Sequence, residues 1–226
     1  MLPMPALCWL CRLPLRVASH GLCSVCLRAL PPLPILCPRC GLPAASSRVA
    51  CGRCLQSPPV WQALICVSGY QPPLRRWVHQ LKFSRITALR VMLARLLLLS
   101  WLHAHRTRGL RRPDLLLCVP LHKSRACRRG YNQAALLAQP LARWLGCEFC
   151  DGLRRRRRAA PQHRLPASQR RQNVRGAFRL EIDVRGRHIA LIDDVVTTGH
   201  TVGEIGRILL AQGAASVQIW CLCRTL

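Results

Sequence analysis

Acid is scarce in this sequence. Only eight of its 226 residues are Asp or Glu, against 35 Lys and Arg, and the formal net charge is +27. Such scarcity argues against reading adjacent acids as surface decoration. The excess charge favours polyanions, either nucleic acid or phosphate-rich small molecules, although arginines scattered along the whole chain account for part of it. Long apolar runs are also missing. The run VMLARLLLLSWL (91–102) is too short to span a bilayer and contains Arg95, so it reads as a buried helix. The start lacks a secretory core, being broken by Pro3, Pro5, Cys8, Cys11 and Arg12. These absences lead us to expect a cytoplasmic protein of bacterial type, with no membrane span and with reduced thiols. No internal repeat occurs apart from paired cysteines. Half of the residues are hydrophobic, which excludes global disorder and supports one medium domain plus a small one.

Cysteine, by contrast, is abundant, with fifteen in the chain. In a reducing compartment that number points to metal rather than to disulfides. Eight fall in four CxxC pairs: Cys8/Cys11, Cys23/Cys26, Cys37/Cys40 and Cys51/Cys54, with gaps of 11, 10 and 10 residues. A CxxC turn lets two thiolates grip one zinc, and two such turns complete a tetrahedron. Eight thiolates therefore suit two structural Zn²⁺ ions with closed coordination shells. Sequential pairing is simplest; the spacing leaves crossed pairing open. Each ribbon is too small to fold on apolar burial, so metal would supply its folding energy. Cys147/Cys150 has no partner pair nearby, and these two with Cys66, Cys118, Cys127, Cys221 and Cys223 read mostly as core thiols.

After a linker at QSPP (56–59) the pattern changes. This predicts a double zinc ribbon over 1–58 and a second domain over 59–226. WQALICVSGY (61–70) reads as a strand, LRRWVHQLKF (74–83) as a short amphipathic helix, and 85–105 as a long helix. DLLLCVP (114–120) is a second strand. A basic loop (121–133) then leads into the helix AALLAQPLARWLG. Residues 154–176 read as a loop with nine arginines and no acid. HIALID is the next strand, and SVQIWCLCR (216–224) closes the sheet. Strands alternating with helices imply an α/β fold with a parallel sheet.

The stretch IALIDDVVTTGHT (189–201) carries the chemistry. Four apolar residues, Ile189 to Ile192, form a buried strand that runs into Asp193 and Asp194. A turn of small and hydroxyl residues follows, Thr197, Thr198, Gly199, His200 and Thr201, and then a helix ending near Gly213. The free N–H groups at a helix start attract phosphate, and the hydroxyls add donors. Two carboxylates beside such a cradle suit a sugar phosphate, since they accept hydrogen bonds from ribose hydroxyls. If strand 114–120 runs parallel, Lys123, Arg125, Arg128 and Arg129 lie at the same sheet edge. Arginine binds phosphate bidentately, so a pyrophosphate fits between the two loops, with Mg²⁺ bridging it to the ribose.

This run resembles the binding motif for 5-phosphoribosyl-1-pyrophosphate (PRPP) of type I phosphoribosyltransferases, in which four apolar residues, two acids and a T-G-x-T/S loop follow in that order. It departs at His200, where a small residue is usual. Val119-Pro120, then Arg125-x-x-x-Arg129-Gly130-Tyr131-Asn132-Gln133, then Gln162, Leu165, Arg170, Asn173 and Phe178 resemble the signature of the ComF family, which also carries a double zinc ribbon. Ala159 stands where that family has threonine.

The resemblance implies a type I phosphoribosyltransferase-like α/β domain that binds PRPP with Mg²⁺, and a role in DNA uptake or in the use of DNA as a nutrient. Asp193 and Asp194 would hold the ribose hydroxyls and stabilise positive charge on the ring. Thr197, Thr198, Gly199, His200 and Thr201 would hold the 5′-phosphate, and Lys123, Arg125 and Arg129 would face the departing pyrophosphate. No side chain stands out as a base for an acceptor. A rival reading is a nucleic-acid-binding module that keeps the fold as sensor or scaffold. Its candidate surface is Arg154, Arg155, Arg156, Arg157 and Arg158, a run suited to single-stranded DNA; a solvated surface loop or a lid over the site would read the same way. Tyr131 or Trp144 could stack a base or sit in the core. A third reading is an adaptor that docks on the DNA-uptake machinery through its ribbons.

Overall fold

The computed structural model describes residues 6–156 and 176–226. Its centre is a five-stranded, wholly parallel sheet. In chain order the strands are β1 (Ala63–Gly69), β2 (Leu115–Cys118), β3 (Glu148–Phe149), β6 (His188–Val196) and β7 (Ser216–Arg224). Their spatial order is β1-β7-β6-β2-β3. β2, β6 and β7 read as nearly unbroken apolar runs because helices or hairpin cover both of their faces. The last strand in sequence is thus an inner one, not the closing edge expected.

The faces separate by the strand period of two. Ala190, Ile192, Leu116, Trp220 and Leu222 pack under α3 (Leu74–Phe83), α4 (Leu89–Arg108) and α6 (Gln133–Leu145). Ile189, Leu191, Leu117, Ile219 and Cys221 pack under α7 (His200–Ala211) and an antiparallel hairpin of β4 (Leu153–Arg155) and β5 (Phe178–Leu180).

Three expectations change. The basic segment after β2 is not a loop: Lys123–Arg129 forms a helix, α5, capped by the His122 side chain, which accepts from the Ser124 amide. Its run of i,i+3 and i,i+4 arginines gave no apolar stripe to read. The expected arginine loop begins later, because Leu153 and Phe178 are buried and carry the hairpin. Cys127 is exposed on α5 rather than in the core. Cys66, Cys118, Cys221 and Cys223 are buried as expected. Burial raises the Cys66 thiol to about 11 and the Cys223 thiol to about 12, so both stay protonated at neutral pH.

The ribbons lie directly on the sheet domain. Cys8, Leu22 and Cys26 join the core that contains Met92 of α4. The second ribbon caps the β1 edge, where the Leu64 amide donates to the Pro38 carbonyl at 3.2 Å. Gly41 makes this approach with φ +67°, and a Cβ there would meet Leu64 at 2.5 Å.

Candidate functional site

β6 stays apolar to Ile192 and then delivers two carboxylates to the carboxyl edge of the sheet, where open α/β folds bind ligands. Asp194 is 4% exposed and faces α3, with Lys82 Nζ 2.8 Å from its Oδ2. The Asp194 amide donates to Asp193 Oδ1 at 2.8 Å. Burial pushes the Asp193 carboxyl well above the usual range, and the neighbouring Asp194 charge adds to the shift. The pair therefore gains from a further positive charge.

The chain then turns through Thr197, Thr198 and Gly199 into α7. Gly199 has φ +80°, and its missing Cβ lets the Trp61 ring approach to within 3.3 Å of that position. The Gly203 amide bonds the Gly199 carbonyl at 2.8 Å, opening α7. The amides of His200, Thr201 and Val202 thus precede the first helical hydrogen bond and can donate outward. Thr198 Oγ1 and His200 Nδ1 are 2.9 Å apart, so His200 braces the turn. The Asp193 side of this loop and residues 195–202 enclose a small cradle.

A larger cavity of about 390 Å³ opens beside it, lined by Asp193, Asp194, Thr197 and Thr201. Arg125 and Arg129, one helical turn apart on α5, line the same cavity with Arg155 of β4. Arg129 donates to Gln133 Oε1 and lies over the Phe83 ring at 5.4 Å. Burial lowers the Arg155 pKa, and the nearby Arg125 charge lowers it further. Arg128 is not on the cavity wall. Lys123 opens α5, but its side chain lies outside the described residues.

The arginine run divides. Arg154 pairs with Asp151 and Glu181, both at 3.3 Å. Arg155 joins the cavity, and Arg156 is exposed. Arg157 and Arg158 lie outside the described residues, as do Ala159, Gln162, Leu165, Arg170 and Asn173. The Tyr131 hydroxyl donates to the Leu81 carbonyl, and Trp144 is 41% exposed.

Sequence reasoning missed Lys82, Tyr70, His122 and Arg224. Lys82 was one polar position on an amphipathic helix, and only the tertiary fold sets it beside Asp194. Arg224 ends β7 and is 5% exposed. It donates to the Cys40 carbonyl of the second ribbon (3.1 Å), to Val196 (3.1 Å), to Thr225 (3.1 Å) and to Thr197. Trp61 reinforces this joint, its Nε1 donating to the Arg39 carbonyl at 2.7 Å.

The cysteines assemble as two sets in sequence order. In each of Cys8, Cys11, Cys23, Cys26 and Cys37, Cys40, Cys51, Cys54, all four sulfurs lie within 4.8 Å of one another. Sequential pairing is therefore the one the fold adopts. Four soft thiolates at this spacing fit tetrahedral zinc. Burial alone would raise the Cys8 and Cys37 thiols. Backbone amides aimed at each sulfur outweigh it and bring both to about 6: those of Cys11, Cys23 and Leu10 for Cys8, and of Cys51, Cys40 and Arg39 for Cys37. Each cluster thus holds one sulfur that ionises readily, whereas burial and the neighbouring cysteines raise Cys26 to about 12 and push Cys40 and Cys54 above the usual thiol range.

The phosphoribosyl transferase domain family matches residues 131–226. A parallel sheet with an acidic pair and a hydroxyl turn at its carboxyl edge agrees with that match, and the protein is of the phosphoribosyltransferase-fold class. The DNA utilization protein YhgH of Escherichia coli (strain K12) is 56% identical over 227 residues, with 100% of each chain covered. That of Salmonella typhimurium is 55% identical over the same span, again covering 100% of each chain. Competence protein F of Haemophilus influenzae is 38% identical over 221 residues, 96% of each. With its two four-cysteine clusters ahead of this domain, the chain belongs to the ComF family.

Proposed function

We propose that the cavity between β6, α5 and β4 binds PRPP with Mg²⁺, and that the protein serves DNA uptake or the use of DNA as a nutrient in the cytoplasm. The observation that carries this reading is one cavity lined both by the Asp193–Asp194 pair and by Arg125, Arg129 and Arg155. The names of the relatives support the DNA role. Among the described residues no helix is long and apolar enough to cross a membrane.

In this reading the amides and hydroxyls of residues 197–201 take the 5′-phosphate. Asp193 and Asp194 accept from the ribose hydroxyls, and the 2.8 Å ion pair with Lys82 orients Asp194. Arg125, Arg129 and Lys123 take the pyrophosphate. Carboxylate oxygens suit Mg²⁺, a hard cation, and the raised Asp193 carboxyl gains from such a charge. Bound there, Mg²⁺ would neutralise pyrophosphate oxygens. When turnover occurs, the C1–O bond to pyrophosphate breaks and positive charge grows on the ring. The acid pair stabilises that charge. Arg155 covers the cavity from the hairpin and helps exclude water.

The second reading, nucleic-acid binding, is favoured by the charge of +27 and by exposed Arg156 at the end of the hairpin. Calorimetric titration of the zinc-loaded protein with PRPP and Mg²⁺ tests the first. Saturable binding is expected, with at least a tenfold loss in Asp193→Asn/Asp194→Asn. A folded wild type that takes up no PRPP would refute it.

A further inference from the structure

We propose that the exposed face of α3, from Arg75 to Phe83, with Arg129 of α5 beside it, is a track for single-stranded nucleic acid that ends at the mouth of the Asp193–Asp194 cavity. This rests on the nucleic-acid reading above and gives it a surface.

Charge is the first ground. Residues 1–113 contain sixteen Lys and Arg and no Asp or Glu. Lys82 is taken up by Asp194, but Arg75 and Arg76 point outward. α3 buries Leu74, Trp77, Val78 and Leu81 at helical spacing, which turns Arg75, Arg76, His79 and Phe83 to solvent.

Aromatic exposure is the second. The chain has only three Phe and two Tyr, yet Phe83 is 56% and Tyr70 42% exposed, both on this face. The His79 and Phe83 rings are 4.7 Å apart, and the Arg129 guanidinium lies 5.4 Å above Phe83. Rings interleaved with arginines are what unpaired bases stack on, because every base has a π-face while the cations follow the phosphates. A duplex hides those faces, so the surface selects single strands.

Continuity with the site is the third. A groove of about 470 Å³ is lined by Tyr70, Arg75, Arg76 and His79. Tyr70 also lines the Asp193–Asp194 cavity, so the groove and the cavity meet at one side chain. From Arg75 to Phe83 the helix advances about 12 Å. That length accommodates roughly three to four bases at the 3.4 Å spacing of a stacked strand. Of the hairpin's described arginines, Arg154 is held by Asp151 and Glu181 and Arg155 lines the cavity, so only Arg156 remains for this role.

The test is fluorescence anisotropy of the zinc-loaded full chain with a labelled 30-nucleotide single strand and with the matching duplex. Variants are Phe83→Ala, Arg75→Ala/Arg76→Ala, and the charge-matched control Arg111→Ala/Arg112→Ala, which lies before β2 at the opposite sheet edge. Zinc content and thermal unfolding confirm folding, and Phe83→Leu keeps bulk without the π-face should Phe83→Ala fail to fold. We expect tighter binding of the single strand than of the duplex. We also expect losses of about fivefold or more for Phe83→Ala and for Arg75→Ala/Arg76→Ala, with less than twofold for the control. Equal losses in all variants would overturn the track while leaving nucleic-acid binding standing. No binding by folded wild type would overturn both.

Discussion

Replacing Arg224 with methionine keeps most of the buried stem and deletes the guanidinium that joins the second ribbon to the 197–201 turn. Four carbonyls lose a charged donor, and three of them, Cys40, Thr197 and Thr225, lose it outright. Val196 keeps the Thr225 amide at 3.0 Å. A hydrogen bond to a charged group contributes about 1.5–3 kcal/mol. The three share one guanidinium and do not add fully, so the expected loss is about 3 kcal/mol. There is a second consequence. A zinc held by four thiolates carries two net negative charges, and Arg224 is the buried cation on its Cys40 side. The assay is urea unfolding of the zinc-loaded protein beside zinc release to a chromophoric chelator. With a slope of about 3 kcal/mol/M, the midpoint should fall by about 1 M. Release of one of the two zinc equivalents should quicken while the other is unchanged. Arg224→Lys, which keeps the charge but not the fork, should fall between. A midpoint within about 0.2 M of wild type, with release unchanged, would refute the reasoning.

Asp193→Asn tests the raised carboxyl. A folded-state pKa above the unfolded value means that the native protein holds the extra proton, so wild-type stability falls as pH rises from near 4 through the raised folded value. The variant should lack that slope and exceed wild type at neutral pH by about 1 kcal/mol in denaturant unfolding, while losing PRPP. Lys82→Met leaves Asp194 without its cation and should lower stability by about 2 kcal/mol, read as a drop in melting temperature of roughly 4–8 °C. Gly199→Ala places a Cβ at φ +80° and 3.3 Å from the Trp61 ring, so a loss of about 1–2 kcal/mol and weaker PRPP binding should appear together in a thermal shift titration.

Much of this site was legible because its signals are local. Ile189 to Thr201 carries strand, acids, turn and helix start within thirteen residues, and the fold places them so. The four CxxC pairs were equally plain, and their sequential assembly followed the simplest spacing. What stayed hidden depends on pairs distant in sequence. Lys82 and Asp194 are 112 residues apart, and Arg224 lies 184 from Cys40. No period or composition links such positions. α5 was hidden for another reason: a helix held by a His122 cap and covered with arginine shows no apolar stripe.

Place in the sheet and place in the chain are inverted for β7, and synthesis feels the difference. Ala63 pairs with Gln218, 155 residues further on. At about 5–20 residues per second, β1 waits roughly 8–30 s for its neighbour. The ribbons emerge before it, and the Pro38 carbonyl already meets the Leu64 amide from the outer side. Newly made chains starved of zinc would leave β1 bare on both sides during that interval, so metal supply in the cell should set the yield of folded protein as well as its stability.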